Sequence, residues 1–257
     1  MSNYDILGNI AIVKFDRNTK LSQKKKIALE LMKKHKNVRT VLEKIDKVSG
    51  RLRTQKTRYI GGERTREAFY RENGCVFRLN VDSCYFSPRL GSERLELARK
   101  VKKDENVLVM FGGVAPYAIV IAKNAKPKNV ISVELGRECC KYAVENVKKN
   151  KLEGKVEIIQ GDVGKKVPKL KEKFDRIIMA RPNLKEPFLD VAFKKIKSRG
   201  QVHYYGFYGL KEENKLRELI KEETKKARKK IKIIKIKKAG EIGKRKFRWR
   251  MDFKILN

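Results

Sequence analysis

The run Val107-Leu108-Val109-Met110-Phe111 passes without a polar interruption into Gly112-Gly113, and a second apolar stretch, Tyr117 to Ala122, follows. Such a run reads as a parallel strand buried on both faces, then a tight turn and the start of a helix. The glycine pair has no Cβ, so a ligand can come close to the backbone there. The pattern then repeats. Asn129 to Glu134 is a short apolar strand ending in a carboxylate, and Val156 to Gln160 leads into Gly161-Asp162. Phe174 to Met179 runs into Ala180-Arg181-Pro182-Asn183. Four strands, each with a loop at its carboxyl end and helical segments between, make an α/β chain with a doubly wound sheet. Glu134 stands where a carboxylate can accept two hydrogen bonds from a ribose diol.

The remainder of the chain is dominated by charge. Sixty-six Lys and Arg against thirty Asp and Glu leave a formal net charge of +36 on 257 residues. A field of that size says nothing about fold but points to a polyanionic partner, with nucleic acid first. A lysine-rich proteome would also raise lysine, but usually with glutamate to balance it. With 40% hydrophobic residues the chain can still build a core, enough for a medium domain with a small companion. Cys75, Cys84, Cys139 and Cys140 show no CxxC spacing and there are two histidines, so no metal site is expected. His35 and His203 read as structural residues, and Cys139 and Cys140 as helix packing. No apolar run approaches a membrane span and no signal peptide is apparent, which reads as a soluble cytoplasmic protein with no membrane partner.

Taken in order, residues 1–72 read as a small α/β domain. A strand starts near Ile10, a helix runs from Leu21 to His35 with Ser22 as its cap, and a second strand covers Val38 to Ile45. The basic stretch Lys47 to Arg66, punctuated by Gly50, Gly61 and Gly62, reads as turns. A β-α-β unit of this size holds little core alone and should dock on its neighbour. Residues 73–257 form the larger domain. Val76, Leu79 and Val81 alternate as in strands, and a loop from Tyr85 enters a helix capped by Ser92 that runs to about Val101. Beyond the four parallel strands come a fifth from Gly200 to Phe207 and a charged helix from Leu210 to Arg228. Ile231 to Ile236 and Phe247 to Ile255 then form a closing hairpin.

The order strand–Gly-Gly turn, strand–Glu, strand–Gly-Asp resembles the Rossmann-like class I S-adenosylmethionine-dependent methyltransferases. At Tyr85-Phe86-Ser87-Pro88-Arg89-Leu90-Gly91-Ser92-Glu93-Arg94 the chain resembles a narrower group, the archaeal and eukaryotic tRNA (guanine-37-N1)-methyltransferases. The likeness runs from Ile6-Leu7-Gly8-Asn9-Ile10 through Val48-Ser49-Gly50-Arg51-Leu52-Arg53 and Glu72-Asn73-Gly74-Cys75. It continues to Val202-His203-Tyr204-Tyr205 and Met251-Asp252-Phe253. This resemblance implies S-adenosylmethionine as cofactor and the tRNA anticodon loop at position 37 as partner. The target there is guanosine N1 or a tricyclic wyosine derivative of the same base. A sister group transfers the aminocarboxypropyl arm of the same cofactor, so that reaction stays open, as does a non-catalytic tRNA-binding role. The chain starts at what looks like the family's second domain, so the small domain that reads the tRNA outer corner is expected to be absent.

Methylation at N1 needs a base for a weakly acidic proton and a cation for charge developing on O6. The resemblance makes Glu93 the base and Arg53 the O6 stabiliser, with Pro182 in the catalytic set. Tyr85, Arg89, Ala180 and Asn183 would meet the substrate. The cofactor would lie over Phe111, Gly112, Gly113, Val114, Ala115 and Pro116. Glu134 would hold its ribose and Asp162 would lie near its adenine, with Leu135, Val163 and Arg181 completing the set. Other readings compete: Glu93 as a carboxylate at a helix N-terminus, Arg53 as a phosphate contact, and Arg89 as an ion pair. Three positions depart from the family pattern. Val109 stands for an acid before the turn, Ala115 for a glycine, and Ala180 for the asparagine that faces the target base.

Overall fold

The computed structural model describes residues 3–46, 50–180, 186–243 and 245–257. The large sheet has seven strands: β7 (Asn106–Met110), β8 (Asn129–Glu134), β9 (Val156–Gln160), β10 (Phe174–Met179), β11 (Ile196–Gly209), β12 (Ile231–Gly243) and β13 (Lys246–Ile255). Their order is β12-β13-β11-β10-β7-β8-β9. β7 to β11 are parallel, β13 runs antiparallel to β11, and β12 antiparallel to β13. The chain winds outward from β7 through β8 to β9, then returns to the other side of β7 with β10. That reversal opens a crevice at the carboxyl ends of β7 and β10, where open α/β sheets bind ligands.

Alternation along β7 explains the coverage of both faces. Val107 and Val109 pack with α2 (Gly91–Lys100), α3 (Pro116–Asn124) and α4 (Arg137–Lys149). Leu108 and Met110 face α5 (Val163–Lys166), α6 (Leu189–Lys195) and α7 (Glu213–Lys226). β13 obeys the same period with a different outcome. Trp249, Met251, Phe253 and Ile255 enter the second of these cores, whereas Arg248, Arg250 and Asp252 point to the face carrying α2 and are also buried. β12 breaks its alternation at a bulge between Ile233 and Lys235, so Ile231, Ile233 and Ile236 pack inward while Ile234 is exposed.

The N-terminal sheet has four strands in the order β1 (Asn3–Leu7), β2 (Ile10–Lys14), β3 (Thr40–Lys44) and β4 (Thr57–Gly62), with α1 (Leu21–Lys34) between β2 and β3. This corrects the two-strand β-α-β reading. β4 lies in the basic stretch read as turns, because an edge strand burying only Thr57 and Ile60 carries almost no apolar signal. The cap assignments are also corrected. α1 starts at Leu21 and α2 at Gly91, which puts Ser22 and Ser92 inside their first turns rather than at their caps. A short 3-10 turn, Pro88–Leu90, feeds directly into α2 and leaves no position for a side-chain cap.

The small sheet docks on the large domain through one apolar cluster: Leu7, Ile10 and Leu42 meet Val114, Cys139 and Tyr142. A hairpin of β5 (Glu67–Glu72) and β6 (Cys75–Asn80) lies between them. The expected boundary at 72/73 falls in its turn. Asn146 on α4 and Asn150 at its C-cap, one turn apart, satisfy the free edge of β6. Their amides donate to the Arg78 and Val76 carbonyls and accept from the same residues' N–H groups, at 2.7–3.1 Å. Among the described residues no helix is long and apolar enough to cross a membrane.

Candidate active site

The turn after β7 is held in an uncommon backbone conformation. Phe111, Gly113 and Ala115 have φ of +64°, +57° and +64°, all left-handed. Glycine is the ordinary occupant of such positions, so Ala115 carries strain where a glycine would carry none. Gly112 has another constraint: a Cβ there would collide with the Ser132 hydroxyl on β8. Glu134 locks the turn from the neighbouring strand. Its Oε2 accepts from the Gly113 N–H at 2.8 Å and its Oε1 from the Gly136 N–H at 2.7 Å. An ionised carboxylate has about four lone-pair sites, so two remain for a diol.

This turn forms one wall of a cleft whose lining includes Phe111, Gly112, Gly113, Pro116 and Glu134 on one side, and Arg53, Tyr85, Arg94 and Ala180 on the other. The loop carrying Tyr85 is anchored from below. Arg94, fully buried, makes a paired ionic contact with Glu72 at 2.5 and 2.6 Å and donates to the Ser87 carbonyl at 3.0 Å. Arg53 lies over the Tyr85 ring, its guanidinium carbon 4.1 Å from the centroid. Its φ is +55°, and its buried Nε has no hydrogen-bond partner. Burial pushes the Arg53 guanidinium below its ordinary value, and nearby Arg248 adds to that against the opposing pull of Tyr85. Burial pushes the Tyr85 phenol up, but the positive charges of Arg248 and Arg53 outweigh it, and the net direction is down.

Other expected site residues lie elsewhere. Val114, Ala115 and Val163 are core residues. Asp162 caps α5, accepting from the Gly164 N–H at 2.8 Å, and also pairs with Arg51; neither it nor Leu135 lines the cleft. Arg89 pairs with Asp5 at the surface and borders a second groove. Arg181, Pro182 and Asn183 lie outside the described residues. Glu93 is almost fully buried behind the cleft. It forms an ion pair with Arg250, sits 3.1 Å from Lys237, and accepts from the Tyr205 hydroxyl at 2.7 Å. Tyr205 in turn accepts from Tyr117 at 3.3 Å, and Tyr117 does line the cleft.

The ionic network continues inward. Asp252, on β13, pairs with Arg250 and accepts from His203 Nδ1 at 2.6 Å. His203 Nε2 accepts from Arg176 at 2.7 Å. Burial holds His203 below its usual value, as a neutral ring between an aspartate and an arginine requires. Sequence reasoning passed over Arg94, Tyr117, Tyr205, Arg248 and Arg250. For the last two a signal exists in Phe247-Arg248-Trp249-Arg250-Met251-Asp252-Phe253, where strict alternation of apolar and charged residues implies a strand with a charged face.

Comparison with known proteins fits this geometry. Residues 68–236 match the TRM5/TYW2 methyltransferase domain, and residues 1–65 the TYW2 N-terminal domain. The chain is 38% identical to the tRNA (guanine(37)-N(1))-methyltransferase Trm5b of Pyrococcus abyssi, over 80% of this chain but only 60% of that enzyme. The crystal structure of wild-type Trm5b from that organism superposes with a TM-score of 0.89 at 34% identity, covering 99% of this chain and 75% of that one. The tRNA (guanine(37)-N(1))/4-demethylwyosine(37)-methyltransferase Taw22 of Nanoarchaeum equitans is 33% identical and is covered in full, as is 99% of this chain. A solved complex of aTrm5 with tRNALeu has a TM-score of 0.83 at 27% identity, covering 99% of this chain and 72% of that one. The chain belongs to the TRM5/TYW2 methyltransferase family.

Proposed function

We propose that this protein uses S-adenosylmethionine to methylate the guanosine-derived base at position 37 of tRNA, at N1 of guanosine or on its tricyclic wyosine-type derivative. One observation carries the reading. A single cleft joins a glycine turn braced by a carboxylate to a cation stacked on a tyrosine. The first half fits a nucleoside cofactor, with Glu134 keeping two acceptor sites for the ribose; when bound, that cofactor supplies an electrophilic methyl group. The second half fits a purine. Tyr85 offers a ring to stack on, and Arg53 a cation that makes no ion pair with a carboxylate among the described residues.

In this reading Arg53 stabilises negative charge on O6 as the N1 proton leaves. Tyr117, Tyr205 and Glu93 form a file of hydroxyls ending in a carboxylate. The N1 proton passes to Tyr117, its proton to Tyr205, and that of Tyr205 to Glu93, so one proton moves and no charged tyrosine accumulates. The formal charge of +36 supports a tRNA partner held through its phosphates. Incubating tRNA with protein and cofactor, then locating the added mass by nuclease digestion and mass spectrometry, tests the whole reading. No modification of any base would overturn it. A second reading, aminocarboxypropyl transfer, is favoured by the match of residues 1–65 to the TYW2 N-terminal domain. The same spectrum separates the two by the mass added.

A further inference from the structure

We propose that Arg248 is a binding site for the phosphodiester of the target nucleotide, at the mouth of the cleft. The inference rests on the reading of tRNA base modification above. Arg248 is only 6% exposed, yet among the described residues it has no carboxylate within 4 Å, and its one hydrogen bond goes to the Tyr85 hydroxyl at 3.4 Å. On its other side its guanidinium lies 5.5 Å from the ring of Phe207, the residue directly opposite it on β11. Two residues along the strand, Arg250 is paired with three carboxylates. An unpaired buried guanidinium beside a fully paired one is costly unless an anion comes to it.

The cavities say which anion. Arg248, Arg53 and Tyr85 line both the cofactor cleft and the larger groove that runs between the small sheet and the β12–β13 end of the large one. Beyond the junction the groove presents Lys14 and Lys44, with Arg89 paired to Asp5 and with Glu241 on its β12 side. A base that enters the cleft from the groove leaves its own phosphates near the junction, because only one sugar separates a base from its phosphates. The planar fork of arginine suits a phosphate's paired oxygens, and such contacts set the register of the strand rather than read its bases.

The test is a charge cycle on an anticodon stem-loop RNA. Either linkage flanking the target nucleotide is replaced by a neutral methylphosphonate, and wild-type protein is compared with Arg248→Ala and Arg248→Lys. RNA affinity is read by fluorescence anisotropy and methylation by kcat/KM. Arg248→Ala should weaken RNA binding about tenfold and lower the salt slope by about one. One methylphosphonate should weaken the wild type equally and leave Arg248→Ala within about twofold of its own value. Arg248→Lys should keep most of the affinity as a point charge. Effects that multiply at both linkages would overturn the proposal. So would a loss of S-adenosylmethionine affinity by calorimetry that accounts for the loss of activity, since the anion would then be the cofactor's carboxylate. If the wild type modifies no base, the functional reading fails by itself, while the anisotropy cycle still decides on Arg248.

Discussion

The charged face beneath α2 and the mouth of the cleft are built from the same strand and the same residue type, and they are opposites. Beneath α2, Arg250 touches Glu93, Glu96 and Asp252. At the mouth, Arg248 and Arg53 both contact Tyr85, and among the described residues neither makes an ion pair with an acid. Burial works against both Arg250 and Arg53. At Arg250 it is outweighed by Tyr205, Glu93 and Asp252, which hold the guanidinium above its ordinary value; at Arg53 nothing outweighs it and the net direction is down. The difference separates structure from function within one surface. A cation with its counter-charge in place is scaffolding, and a cation buried without one is waiting for a ligand.

The sharpest way to break this contrast is to truncate both arginines. Arg250→Ala takes one cation from each of three carboxylates, leaving Glu93 and Glu96 with Lys237 alone and Asp252 with His203, and should cost roughly 3–5 kcal/mol of folding stability, read by urea unfolding. Arg248→Ala removes a cation that has no carboxylate partner among the described residues and should change stability by less than about 1 kcal/mol. Equal losses in the two variants would mean that Arg248 has a counter-charge after all.

Next in size is the acid side of the same network. Burial alone would raise the Asp252 carboxyl, but His203 and Arg250 pull it down to about 2. A depressed carboxylate contributes stability that is fully present above its unfolded value and is lost as pH falls through its folded one. For Asp252 the loss therefore falls between about pH 4 and pH 2, where Glu96, likewise held at about 2 by Lys237 and Arg250 against the opposing effect of burial, adds to it. Asp252→Asn should cost on the order of 2 kcal/mol at neutral pH and flatten the acid limb of stability against pH. An unchanged acid slope in that variant would remove Asp252 from the account.

Glu134 is the intermediate case: a carboxylate satisfied by two backbone amides, yet open to the cleft. Glu134→Ala should weaken S-adenosylmethionine about tenfold or more in calorimetry, through the loss of its charge-assisted hydrogen bonds to the ribose diol. Unchanged affinity would mean that the carboxylate only braces the Gly112-Gly113 turn.

The same contrast marks what the sequence makes legible. Contiguous apolar runs such as Val107 to Met110 announce the parallel strands and the carboxyl-end crevice, because a strand buried on both faces has no polar positions to hide it. The short edge strand β4 of the small sheet, with only Thr57 and Ile60 buried, has no such run and passes for turns. The left-handed backbone at Phe111 and Ala115 is also invisible, since neither is a glycine. The pairing of Glu93 with Arg250 joins residues 157 positions apart and follows from no local pattern. Family resemblance can mark Glu93 as important, but only the fold shows that it lies behind two tyrosines rather than in the cleft.

The smallest expected effect concerns the side of the mouth that has lost a polar group rather than kept an unpaired one. Ala180 ends β10 and lines the cleft, its N–H donating to the Met110 carbonyl at 3.3 Å. Where the resembling enzymes place an asparagine that can grip a guanine edge, this chain offers a methyl group and the space beside it. Losing such a contact costs about 1–3 kcal/mol of discrimination, and the added room suits a base with a third ring. In the proposed mechanism Arg53 and Glu93 would serve plain guanosine as well as the tricycle, so the two substrates should differ by little in the native protein. Ala180→Asn should then raise the preference for guanosine over the tricyclic base about five- to tenfold, chiefly by weakening the larger substrate. Competing the two stem-loop RNAs in one reaction and counting methyl groups on each by mass spectrometry reads that ratio directly. Efficient methylation of guanosine with none on the tricycle, in both proteins, would mean that Ala180 is a neutral replacement and that substrate choice is set elsewhere in the cleft.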